Sequence, residues 1–244
     1  VVADGPDGEL ASGSDFGTVH NTVQSQVEGV VAVQSGSYEY STEPVLEQDD
    51  ALHLAGAELI PNGVAGIRFG DGTNTNNHQS LTGHGRIDPT KAGTTGTRSV
   101  YVYGAKNLNI AGNIVLEEGT EDALFIRGGD LGAWYDRYHG LKIYGDVVKG
   151  ESSDSVTTTD QVMTNCVISQ SSIIHQDGNS FLLDNCTFEG INSGNGAKID
   201  DSAGSFYLAG RFENCDLEIN SASGLTLRNW HNDTVTVTDN VADG

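Results

Sequence analysis

Basic residues are scarce in this chain of 244 residues: 12 Lys and Arg stand against 34 Asp and Glu, a formal net charge of −22. That is about one net negative charge for every 11 residues (244/22). Phosphate backbones and anionic headgroups are bound through Lys- and Arg-rich footprints, so the balance argues against nucleic-acid and membrane-surface binding. Long hydrophobic runs are missing too. No stretch approaches the ~18 apolar residues of a spanning helix, which argues against membrane insertion. Proline is rare, at 4 residues, so little in the sequence interrupts a β-ladder. Cysteine is limited to Cys166, Cys186 and Cys215. An odd number at spacings of 20 and 29 (186 − 166, 215 − 186) fits neither a disulfide framework nor a CxxC metal site. The chain opens Val1-Val2-Ala3 with neither an initiator Met nor an apolar leader, which reads as a processed protein or a segment of a longer one.

What is present is enough to fold. Hydrophobic residues make up 36%, and the acids are interspersed with Val, Ile, Leu and Phe rather than gathered in the blocks of a disordered polyanion. Asp (21) exceeds Glu (13), and Lys is reduced to 5. That bias resembles proteins of salt-loving archaea and their viruses, whose acidic surfaces stay hydrated in molar salt. The alternative is an ordinary acidic secreted protein. Salt would screen the self-repulsion, since the Debye length falls to about 3 Å at 1 M.

Each cysteine follows an asparagine and opens an alternating pattern: Asn165-Cys166-Val167-Ile168, Asn185-Cys186-Thr187-Phe188 and Asn214-Cys215-Asp216-Leu217. Short alternating runs ending at, or immediately before, a Gly or Asn recur along the chain, among them 51–56, 99–104, 107–112, 123–128, 140–145, 180–184, 205–209 and 224–229. These have the period and length of strands, and Gly (32 residues) and Asn supply corners with positive φ. A sandwich, a propeller and a parallel β-helix all fit short strands at regular spacing. The corners discriminate, because hairpins need reversing two-residue turns, whereas Leu182-Leu183-Asp184-Asn185-Cys186-Thr187-Phe188 bends without reversing. Repeated each coil, this stacks Asn on Asn and places Cys over Cys as interior filling.

With these features the sequence resembles the right-handed parallel β-helix of the pectate-lyase-like superfamily. Val19, Val23 and Val27 lie on one face of a short helix. Gly29-Val30-Val31-Ala32-Val33, Ser35-Gly36 and Tyr38 follow, and Leu54-Ala55-Gly56-Ala57-Glu58-Leu59-Ile60 adds a similar step. This is similar to the opening with which many such proteins, viral tailspikes among them, cap the first coil. The resemblance implies an all-β, single-stranded right-handed parallel β-helix of about 10 coils at ~22 residues each, a rod about 45 to 50 Å tall. Residues 1–14 would be an N-terminal extension, 15–240 the β-helix domain with a cap at about 18–28, and 241–244 a tail.

Hydrolases on this fold pair carboxylates on one exposed sheet; its lyases use Asp-bound Ca²⁺ with an Arg or Lys base. If the chain is enzymatic, Asp130, Asp136, Arg137, His139, Asp200 and Asp201 are the candidates. Asp200 and Asp201 are neighbours and would point to opposite faces of a strand. Gly83-His84-Gly85 reads as a coil turn and Asp49-Asp50 as a turn pair. The segment Trp134-Tyr135-Asp136-Arg137-Tyr138-His139 is the densest aromatic patch. Flat rings beside Asp, Arg and His suit a sugar or partner platform, the alternative being a loop that buries its rings. Loops at 71–78, 91–97 and 150–161 could hold structural Ca²⁺ or Na⁺, although no twelve-residue Ca²⁺ loop is present. Asn185-Cys186-Thr187 and Asn232-Asp233-Thr234 match the glycosylation tripeptide, but the first falls in the proposed stacked corner.

Two functions fit. One is a virion-surface spike, fibre or turret of a halophilic archaeal virus, extracellular and homotrimeric, that contacts other virion proteins and host surface glycans or glycoproteins. The other is a secreted polysaccharide lyase or glycoside hydrolase. The positions of Asp122, Asp130, Asp136, Asp200 and Asp201 discriminate between them, since an enzyme needs two or more carboxylates within ~5 to 10 Å in a groove.

Overall fold

The alternation read from the sequence becomes parallel strands stacked in register. The computed structural model describes residues 2–5, 8–26, 29–74, 76–151, 153–191, 197–201, 203, 206–213, 215–221, 225–229 and 236–239. One face climbs through Val30–Tyr40, Ala51–Pro61, Ser80–Ile87, Asn109–Glu117 and Arg137–His139 with Lys142–Tyr144. It continues through Thr159–Thr164 with Val167–Ser169, then Asn179–Glu189, Phe206–Glu213 and Leu225–Asn229. A second face is made of short strands, from Val45–Leu46 and Ile67–Phe69 through Val100–Tyr103, Leu124–Arg127, Val147–Lys149 and Ile173–His175 to Thr236–Asp239. A third, narrow ladder joins Asn76–Asn77 to Ala105–Lys106, Trp134 and Thr159.

This is a parallel β-solenoid. Its second face holds nine strands among the described residues, and nine rungs at ~4.8 Å make a stack about 40 Å tall. The coil count therefore falls below the ten expected. The reason is coil length: the in-register residues Leu52, Leu81, Ile110 and Tyr138 are 29, 29 and 28 positions apart, longer than a uniform ~22-residue period.

Alternation sorts the side chains by parity. In Ala51–Pro61 the residues Leu52, Leu54, Ala57 and Leu59 are buried. Successive rungs add Leu81, Ile110 and Ile143, then Ile168 and Phe188, to one continuous core. Stacked rings extend it, with Phe181 against Phe206 at 5.3 Å and Phe188 against Phe212 at 4.5 Å.

The start of the stack is closed by the helix Phe16–Gln24, which buries Phe16, Val19, His20 and Val23. The cap begins two residues before the expected 18, and Val27 lies outside the described residues. Asp15 caps the helix: its carboxylate accepts the N–H of Thr18 at 2.8 Å and, on the first coil, those of Ser41 at 2.7 Å and Thr42 at 3.2 Å. One side chain thus satisfies orphan donors of the helix and ties it to the coil. In the expected extension, Val2–Gly5 pairs antiparallel with Gly8–Ser12.

One corner of the first face repeats up the stack with positive φ throughout: Gly56 (84°), Gly83 (100°), Gly112 (134°), Gly140 (73°), Asn165 (54°) and Asn185 (53°). The Asn185 amide donates to the Asn165 side-chain oxygen, as the corner reading expected. That bond also occupies the Asn185 amide at its glycosylation tripeptide; Asn232 lies outside the described residues. Cys166 and Cys186 are buried in register beneath these corners. The third repeat differs. Residue 186 faces Gly210 across the ladder, and Cys215 lies after Glu213 at another corner, with its thiol 3.4 Å from the Phe188 carbonyl. The three Asn-Cys units share a sequence pattern, but only two share a place in the coil.

Candidate functional site

The segment expected to form an aromatic platform is divided by its own alternation. Tyr138 points into the core at 1% exposure and donates to Gln161 at 3.2 Å. Asp136 has the same parity and is fully buried, its Oδ1 accepting the N–H of Leu108 at 2.9 Å. Burial, against the opposing Leu108 hydrogen bond, raises the Asp136 carboxyl to about 8, so it is neutral at pH 7. Neither side chain reaches a surface ligand, which corrects the expectation for both.

Four residues of the segment remain toward solvent. Tyr135 is 53% exposed. Trp134 is half-buried under the Lys106 ammonium, 4.0 Å from its ring centroid, so one ring face is already covered. Arg137 donates to the carbonyls of Asp136 and Asp160, both at 3.2 Å. His139 meets the Thr164 hydroxyl at 2.9 Å and lies at the foot of the Asn165 ladder.

The remaining carboxylates lie apart. Asp130 occupies an exposed turn and accepts the Ser155 hydroxyl at 2.7 Å. Asp200 is on the second face, paired with Lys198 at 2.8 Å. Asp201 is in the same strand, Ile199–Asp201, and its side chain lies outside the described residues. Asp122 is nearly buried beside Arg98, with Oδ1 3.2 Å from Nε. Burial pushes it up to about 7, with Arg98 opposing and Asp146 and Glu118 reinforcing the shift. Asp49 is a turn residue at φ 62°, in agreement with the turn-pair reading, whereas Gly83-His84-Gly85 lies within the strand Ser80–Ile87, bent at Gly83 with His84 exposed, so the turn reading holds there only for the Gly83 corner. Among the described residues, no three His, Cys, Asp or Glu side chains converge as a metal ion requires.

A groove forms elsewhere, at the exit of the first face. Glu117, Tyr144 and Ser169 occupy one outward column on three successive rungs. With Thr90, Glu118, Gly145 and Gln170 they border a shallow, open depression of about 250 Å³, below the usual range for small-molecule pockets. Tyr144 is 42% exposed and offers a ring beside two carboxylates, an amide and two hydroxyls. Glu117 is paired with Arg86 at 2.8 Å, which also holds Asp88 at 3.0 Å. Partial burial raises the carboxyls of both Glu117 and Glu118, the latter reinforced by Asp146.

These groove residues were not singled out from the sequence. The parity of Glu117 in Asn109–Glu117 marks it as outward, but its meeting with Tyr144 and Ser169 depends on coil lengths of 27 and 25 residues (144 − 117, 169 − 144). The cations are otherwise engaged along the coils: Arg68 with Glu43, Arg98 with Glu121, Arg127 with Asp154 and Arg211 with Glu213.

No family model, no curated protein and no solved structure matches this chain. The parallel ladder itself defines the class, a β-solenoid.

Proposed function

We propose that this solenoid is a non-enzymatic, glycan-binding surface rod, with the Tyr144 groove as its contact. In the finer reading it is a spike or fibre on the virion of a halophilic archaeal virus, assembled from copies of the chain with other virion proteins. The dispersal of Asp130, Asp136 and Asp200 to a turn, the core and the second face, together with the Arg86 ion pair that engages Glu117 beside Glu118 in the groove, carries the choice of binding over cleavage. The acidic, Lys-poor composition and the capped first coil, which resembles tailspike openings, support the setting.

The groove's chemistry narrows the ligand. Glu118 and the Arg86-paired Glu117 accept hydroxyl hydrogen bonds and repel anions, so neutral or amino sugars fit and uronates do not. Calorimetry in 3 M KCl should detect neutral oligosaccharides, with Tyr144→Ala weakening binding about tenfold, the equivalent of one lost aromatic contact of ~1.4 kcal/mol. Reducing ends released with time and abolished by Glu118→Gln would establish the hydrolase instead. Equal stability in dilute buffer and in 3 M KCl would remove the halophilic setting while leaving the groove reading intact.

A further inference from the structure

Cys166 and Cys186 each follow a left-handed Asn corner, and the next residues, Val167 and Thr187, are in register. The two cysteines are therefore direct neighbours on adjacent coils, tied by the Thr187 N–H to the Cys166 carbonyl at 2.8 Å. Their side chains repeat the same geometry. The Cys166 thiol lies 3.9 Å from the carbonyl of Tyr138 and 3.4 Å from that of Thr164. The Cys186 thiol lies 3.8 Å from the carbonyl of Met163 and 3.5 Å from that of Asp184. Met163 is the in-register partner of Tyr138, so both thiols point down the stack, and that of Cys186 points at that of Cys166. Both are free and buried.

We propose that Cys166 and Cys186 form a redox-controlled clip, a disulfide that locks two adjacent coils when a small oxidant enters. Adjacent rungs bring the Cα atoms to ~4.8 Å, inside the disulfide range of about 4.4–6.8 Å. Closure thus needs a change of side-chain rotamer and no change of fold. The hydrogen bond between the thiols holds Cys166 below the ordinary thiol value and raises Cys186, which makes Cys166 the first to react.

With hydrogen peroxide as oxidant, the Cys166 thiolate attacks one peroxide oxygen, the O–O bond breaks and hydroxide leaves, giving a sulfenic acid. The Cys186 sulfur then attacks the Cys166 sulfur and displaces its hydroxyl. The protons of the two thiols leave in two waters, and the peroxide takes up two electrons. Cys215 is an internal control, because it is buried at a different corner with its thiol on the Phe188 and Glu213 carbonyls.

The test uses the folded chain and stoichiometric hydrogen peroxide, followed by alkylation under denaturing conditions and peptide mapping. The expected result is a 166–186 linked peptide lighter by two hydrogens and cleaved by reductant, with Cys215 alkylated. The oxidised protein should melt about 5 °C above the reduced one, since a loop of 20 residues (186 − 166) is closed. Cys186→Ser should lose the link and the melting difference, while reduced wild type shows that the fold does not need the clip. The proposal is overturned by two intact thiols, by sulfinic acid at Cys166 without a link, by a link through Cys215, or by a link that leaves the melting temperature unchanged.

Discussion

The lower and upper coils meet the same corner requirement by different means. Below, Gly83 and Gly112 turn the chain where a Cβ would lie 2.1 Å from the Leu54 carbonyl oxygen and 2.0 Å from that of Gly83. Above, Asn165 and Asn185 take the corner at φ near 54° and spend their side chains on one another. The interiors differ in parallel. Leu54, Leu81, Ile110 and Leu116 fill the lower core, with Gln79 and Asp88 also buried there, whereas higher up Asp136, Lys149, Gln161 and His175 are buried alongside Met163, Ile168 and Phe181. The Lys149 ammonium donates to the carbonyls of Asp177 at 3.0 Å, Asn179 at 3.2 Å and Thr158 at 3.4 Å, and contacts His175 at 3.0 Å. A solenoid can thus hold its coils together by close backbone approach or by interior polar bonds, and the two arrangements fail in different ways.

The sharpest break should come at a glycine corner. Gly112→Ala puts a Cβ into the coil beneath at φ 134°, so a loss above about 3 kcal/mol is expected by urea denaturation. Asn165→Ala, at a corner with room for a side chain, should cost about 2 kcal/mol through lost ladder bonding and a strained φ, and Asn165→Gly about half of that. Equal losses at Gly112 and Asn165 would erase the distinction between the two halves.

Lys149→Met probes the polar interior. It leaves the carbonyls of Thr158, Asp177 and Asn179 without their ammonium, and about 2 kcal/mol should be lost in the same denaturation experiment. A neutral result would show that the lysine is replaceable filling.

The smallest expected effect is a pH slope. Asp136 is raised to about 8 in the fold, against an ordinary unfolded value of ~3.9. A raised group contributes stability that is present at low pH and lost as pH climbs through its folded value. His175 acts oppositely: burial and then the Lys149 charge lower it to about 3, so its contribution is present above ~6.5 and lost on acidification. The wild-type melting temperature should therefore drop between pH 6.5 and 8.5, and Asp136→Asn should flatten that limb above pH 7, below which Asp122, raised to about 7, contributes in the same direction. An unchanged slope would show that Asp136 is already ionised in the core.

Much of the fold was legible because strand alternation and positive-φ corners are local properties. Leu182-Leu183-Asp184-Asn185-Cys186 bends as its composition suggests, and Val19 and Val23 face the core as their spacing requires. Coil length is not local. Cys215 repeats an Asn-Cys pattern yet sits at another corner, since the ladder shifts by one residue between Leu183 and Cys186 and Gly210 takes the place opposite Cys186. The site was less legible for the same reason, as Glu117, Tyr144 and Ser169 meet only once register is known. Asp136 and Tyr138 were a different failure: they share parity with each other and alternate with outward Arg137 and His139, so their burial was readable from spacing.

The Asp15 clasp has a consequence for how such a rod behaves toward its own kind. A stack of parallel strands is a one-dimensional crystal, and either end presents unpaired N–H and C=O groups able to recruit another strand. With Phe16–Gln24 fastened to Ser41 and Thr42 through one carboxylate, the first coil is closed to newcomers. Neutralising Asp15 would loosen a helix and could also remove the stopper that keeps the rod from lengthening into a fibre at that end.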